Sequence, residues 1–112
     1  MATLSITTVS LSSPDPGMAA ADAGGDQFLG TKRTAFVVYN GDASAKEVTI
    51  ASQVSDTPGV TSDDVVVSVP AGEMRVFPLA SYFNKFQDSN DYVQVTYDAV
   101  TSLEVAAIEL DR

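Results

Sequence analysis

Cysteine, histidine and tryptophan are absent from this chain of 112 residues, and lysine and arginine together number only six. Each shortage excludes something. Without histidine, neither a Ser-His-Asp triad nor a Cys-His pair can assemble within the chain. Zinc is denied both of its preferred ligand types. No disulfide can form, so cysteine usage does not indicate a redox compartment. Fifteen acidic residues face the six basic ones, for a formal net charge of −9. Phosphate backbones and anionic bilayers are bound through cationic contacts, so this balance argues against nucleic acid and membrane as partners. No run approaches the roughly 20 apolar residues of a membrane helix. The opening residues lack the basic start and apolar core expected of a signal peptide.

What is present suits a pleated sheet. Valine dominates the apolar residues, threonine is frequent, and Tyr and Phe supply all the aromatics,. The length fits a single domain over residues 1–112, large enough to bury one core. Leu4 and Ile6 alternate with Ser5 and Thr7. Val9 and Leu11 follow after a change of phase, as in a strand bulged near Thr7-Thr8,. Ala35 to Tyr39 is a near-continuous apolar run, expected of a central strand. Asn40-Gly41-Asp42 is a turn signal, and Lys46 to Ala51 then sets Val48 and Ile50 on one face. Val65, Val67 and Val69 alternate cleanly before the tight turn Pro70-Ala71-Gly72-Glu73,. Met74–Leu79, Tyr92–Tyr97 and Leu103–Leu110 complete the series. Seven to eight short strands so spaced predict an all-β fold: a single antiparallel β-sandwich, jelly-roll or immunoglobulin-like. Residues 11–34 stand apart. They hold Pro14, Pro16, Gly17, Gly24 and Gly25, and Met18-Ala19-Ala20-Ala21 has the composition of one short helical turn. This stretch is expected to be an extended loop or arm.

The candidate residues point to binding rather than chemistry. Met18 lies within the expected arm, and Phe28-Leu29 near its end reads either as a loop anchor plugging the end of the sandwich or as a partner contact. Lys32-Arg33 holds two of the six positive charges, and reads either as a docking contact or as a counter-charge to Asp26. Tyr82, Phe83 and Phe86 form an aromatic cluster in the loop before Tyr92, and either cap the core or make an interface. Asp63-Asp64 and Asp88-Ser89-Asn90-Asp91 offer oxygen ligands without the spacing of a helix-loop-helix calcium site. Turn-forming aspartate accounts for both. No catalytic residue, metal site or cofactor is expected. Tyr92 and Tyr97 fall on opposite faces of a strand, which gives a carbohydrate-binding or adhesion module little to stack a sugar on.

Six segments in order carry a resemblance: Phe28-Leu29, Phe36-Val37-Val38-Tyr39-Asn40-Gly41, Val48-Thr49-Ile50-Ala51, Val67-Ser68-Val69-Pro70-Ala71-Gly72, Val93-Gln94-Val95-Thr96-Tyr97 and Val105-Ala106-Ala107-Ile108. Together they resemble the small head decoration, or cement, proteins of tailed bacteriophages. The resemblance implies a non-enzymatic protein, made in the host cytoplasm, that clamps the outer surface of the capsid. Its implied partners are the major capsid protein and itself, as a homotrimer. A tail or head–tail completion protein is the alternative within the virion.

Overall fold

The computed structural model describes residues 2–10, 16–31, 33–52, 64–79, 86, 88 and 90–110. Among them run ten strands: β1 (Ala2–Thr3), β2 (Ile6–Val9), β3 (Ala19–Ala20), β4 (Asp26–Leu29), β5 (Thr34–Asn40), β6 (Lys46–Ile50), β7 (Val65–Val69), β8 (Met74–Pro78), β9 (Tyr92–Tyr97) and β10 (Leu103–Leu110). They form two sheets. The first has the order β1-β4-β9-β6-β7 and the second β2-β10-β5-β8, with β3 also paired to β10.

The sheets pack through the inward halves of alternating strands. Phe28, Val48, Val93 and Val95 come from the first, and Phe36, Val38, Leu103 and Val105 from the second; all are essentially inaccessible. Burying each such side chain stabilises the fold by about 1.5–3 kcal/mol. Phe28 stacks on Phe36 across the interior, with ring centroids 5.3 Å apart. As its unbroken apolar run requires, β5 is the buried strand of the second sheet, held between β10 and β8. Ala35 and Val37 are buried on its other face too.

Turn chemistry sets the connections. Asn40 ends β5 fully buried. Its side-chain amide donates to the carbonyls of Ser44 (2.8 Å) and Val69 (2.9 Å), and its Oδ1 accepts the Asp42 N–H. One residue therefore ties the β5–β6 turn to the end of β7. Between β7 and β8, the Glu73 N–H reaches the Pro70 carbonyl at 3.1 Å. Gly72 holds that turn at φ 74°, a conformation that costs any residue with a Cβ,.

Three expectations need correction. The sheets are mixed rather than purely antiparallel, because β1 runs parallel to β4 and β2 parallel to β10. The expected first strand begins two residues late, at Ile6, as β2, and a further strand, β1, precedes it: the chain leaves the first sheet at Leu4-Ser5 and enters the second at Ile6. Ile6 to Val9 then pair in register with Ala107 to Leu110, without a bulge. The expected arm over 11–34 is, in its described part, drawn into the sheets. Ala19-Ala20 is a strand on β10, not a helical turn, and Ala21 donates to the Leu103 carbonyl. Phe28 anchors β4 between β1 and β9 because its ring gains more in the core than in water,. Residues 11–15 of that stretch lie outside the described residues.

Candidate interaction surface

The outward faces of the two sheets differ in character. On the first sheet the outward side chains are largely polar and bonded to one another. Gln27 Nε2 donates to Thr3 Oγ1 (2.9 Å), while Gln94 Nε2 donates to Gln27 Oε1 (2.9 Å) and Asp88 Oδ2 (2.8 Å). This ladder crosses β1, β4 and β9. On the second sheet, Val37 lies in register with Val76 on one side and Ala106 on the other, and Tyr39 with Met74. These outward positions are apolar. Val76 and Met74 are half exposed, at 53% and 49%.

Both sheets end on the same flank, in β7 and β8, which the Pro70–Glu73 turn joins. Among the described residues, three of the four exposed large hydrophobic side chains sit there: Val66, Met74 and Val76. A cleft of about 310 Å³ opens between the strands. Ile50 and Val65 line it from the first sheet, Val76 to Leu79 from the second, and Phe86 closes it.

The two edges differ in how they are finished. Leu79 N–H bonds the Thr34 carbonyl and Asn40 N–H bonds the Glu73 carbonyl. The odd-numbered residues of this strand thus face β5, and Met74, Val76 and Pro78 turn their backbone groups outward. That edge is blunted. Arg75 Nη1 donates to the Met74 carbonyl at 2.9 Å, and Pro78 has no N–H to offer,. On β6, Glu47 and Ala51 bond toward β9 through Asp98 N–H and the Gln94 carbonyl. Lys46, Val48 and Ile50 therefore bond Val69, Val67 and Val65, their register partners. Val66 and Ser68 are left with their backbone groups at the outer edge. The strand reads Val-Val-Val-Ser-Val, with no charge and no proline.

Among the described residues, the site residues named from sequence do not converge. Phe28 is completely buried, which corrects its reading as a partner contact; it fills the core. Leu29, its neighbour, points outward at 44% exposed. Met18 is half-buried just before β3. Arg33 is half-buried in the turn before β5, its N–H donating to Thr31 Oγ1. Phe86 is 7% exposed and belongs to the wall of the cleft, a core position rather than a surface one. Lys32, Tyr82 and Phe83 lie outside the described residues, as does Asp63. Sequence reading passed over Val66, Met74 and Val76. Their signal was weak, because Val66 is the same residue type as the inward valines on either side of it, and Met-Arg-Val-Phe-Pro fits either facing.

The acidic residues serve local structure. Asp88 Oδ1 accepts the N–H groups of Asn90 (2.8 Å) and Tyr92 (3.0 Å). These bonds hold its carboxyl below the usual aspartate range. Asp64 Oδ1 accepts Ser52 N–H at 2.7 Å. Asp26 is buried in β4, where its Oδ2 accepts Tyr97 Oη–H (2.6 Å) and Asp22 N–H (3.2 Å), while its Oδ1 has no hydrogen-bond partner among the described residues. Burial, and then the bond to Asp26, push the Tyr97 phenol up. Among the described residues, no three potential metal-ligating side chains gather in one place. Comparison of the chain with protein-family models, curated proteins and solved structures finds no match in any of the three.

Proposed function

We propose that this protein is a non-enzymatic virion component, a decoration or cement protein that docks on the outer surface of a bacteriophage capsid and stabilises it. The observation that carries this reading is the β7–β8 flank. It is an apolar cleft between two sheet edges, with exposed Val66, Met74 and Val76, on a molecule whose net charge is −9. Apolar patches on otherwise charged small proteins mark contact surfaces, and charge is depleted from the centres of interfaces.

The topology supports the reading. Without β1 and β2, the strands fall into β3-β10-β5-β8 against β4-β9-β6-β7, and every neighbouring pair in both is antiparallel. Only β6 and β7 are consecutive within one sheet. This order supports the jelly-roll form of the expected sandwich, an architecture that recurs in viral capsid domains,. Jelly rolls also occur in lectins, so the assignment rests on the surface rather than on the fold. Assembly as a homotrimer is part of the proposal. Many identical contacts repeated by capsid symmetry would make modest individual affinities sufficient.

Cryo-electron microscopy of purified virions tests this. The expected result is density for this chain on the capsid exterior, on the order of hundreds of copies per particle given the symmetry of a shell. Density confined to the tail or the head–tail junction would transfer the protein to the alternative class. A saturable hit on a glycan array, with no virion density, would favour the carbohydrate-binding reading.

A further inference from the structure

We infer that the outer edge of β7 is a strand-addition site, taking an extended segment of a partner chain in which apolar residues alternate with lysine or arginine. The inference rests on the reading of this chain as an assembly protein and names the contact. Val66 and Ser68 present two N–H groups and two carbonyls along an edge that no described residue caps, and main-chain bonding of this kind gives strand addition its affinity,. The neighbouring edge, β8, is capped by Arg75 and ended by Pro78. Sheet proteins blunt exposed edges in this way, so of the two edges on this flank the valine edge, which no described residue caps, is the one left open.

The side chains around the edge define the occupant. An added strand would place alternate residues over the cleft, against Val65, Val76 and Phe77, where apolar side chains fit. The other residues would lie beside Val66 and Ser68 on the outward face. Among the described residues, the charges near there are acidic. Exposed Glu47 pairs in register with Ser68, and exposed Asp64 precedes the strand. Lys46 points inward to Asp42 and does not offset them. The complement is therefore a cationic outward row. A second copy does not supply it, because its own β7 lacks lysine and arginine and brings a further Glu47 and Asp64.

The test uses the full chain with a synthetic peptide of alternating valine and lysine, and its valine–glutamate counterpart. Binding of the first and not the second is expected, with amide-exchange protection appearing at Val66 and Ser68. Val66→Pro removes an edge N–H that β6 does not use, so its melting temperature should stay close to wild type while peptide affinity falls by at least about tenfold. Val66→Lys serves as a second variant should the proline one unfold, with the same expected loss. Three results overturn the inference: slow exchange at Val66 and Ser68 in the free protein, protection that instead rises with protein concentration through self-pairing, and equal binding of both peptides. Capsid attachment unaffected by these variants overturns this contact alone. Wild-type protein that does not attach to the capsid overturns the proposed function instead.

Discussion

Replacing Tyr97 by phenylalanine offers a sharp test of how the interior is balanced. The phenol donates to Asp26 Oδ2 at 2.6 Å, and Asp26 is completely buried, its other oxygen without a partner among the described residues. Removing the donor deprives a buried carboxyl of its side-chain partner, at a cost of about 1–3 kcal/mol at neutral pH. The pH dependence makes the experiment specific. Burial first, and then the Asp26 bond, raise the phenol above its ordinary value of 10.0 in the folded protein. The unfolded chain ionises near pH 10 and the folded one does not. The contribution of this group is therefore whole below pH 10 and lost above it, by about 1.4 kcal/mol per pH unit. At about pH 11.5 the loss reaches about 2 kcal/mol. The phenylalanine variant has no such proton to lose. Urea unfolding of both proteins from pH 7 to pH 11.5, followed by circular dichroism, should show a gap that narrows by that amount. A gap that is constant across the range, or absent at pH 7, would refute the reasoning.

Other outcomes follow from single residues. Phe28→Ala removes a fully buried ring stacked on Phe36, and should cost about 3–5 kcal/mol in a thermal or chemical melt,. A near-neutral effect would return Phe28 to the surface. Gly72→Ala meets nothing within 4 Å, so its cost is conformational alone, about 1–2 kcal/mol, and should appear in stability without altering peptide binding,. The Asp88 carboxyl is held below 3.8 by the Asn90 and Tyr92 amides, so the turn it staples is intact above that pH and loosens as pH falls through the lowered value,. Faster amide exchange at Asn90 and Tyr92 on acidification is the expected reading, and Asp88→Asn should blunt it.

Seven of the ten strands, β2 and β5 to β10, were legible because their residues alternate or run apolar, most of them between strong turns. Val65-Val67-Val69 and the Asn40-Gly41-Asp42 turn show this most plainly. The missed strands lack those signals for physical reasons. In β4 the inward positions are Asp26 and Phe28 and the outward ones Gln27 and Leu29. A buried acid and an exposed leucine cancel the period-two pattern, and glycines precede the strand. In β3, two alanines pair with β10 and carry no face preference of their own. The interaction flank was hidden for a related reason. Val66 and Val67 are the same residue type on opposite faces; the alternation with Ser68 sets Val66 on the polar side, but only the register with Thr49 and Val48 places that side beside the flank. That register is set by long-range pairing, which local composition does not encode.

The parallel pairing of β2 with β10 has a mechanical consequence. These strands lie near the two ends of the chain, and Ile6 to Val9 run in the same direction as Ala107 to Leu110. Tension applied through the chain's ends therefore slides the strands past one another. Every bond between them is loaded at once, whereas an antiparallel pair pulled from the same points would peel open one bond at a time. Short as the ladder is, it works as a lap joint rather than a zip.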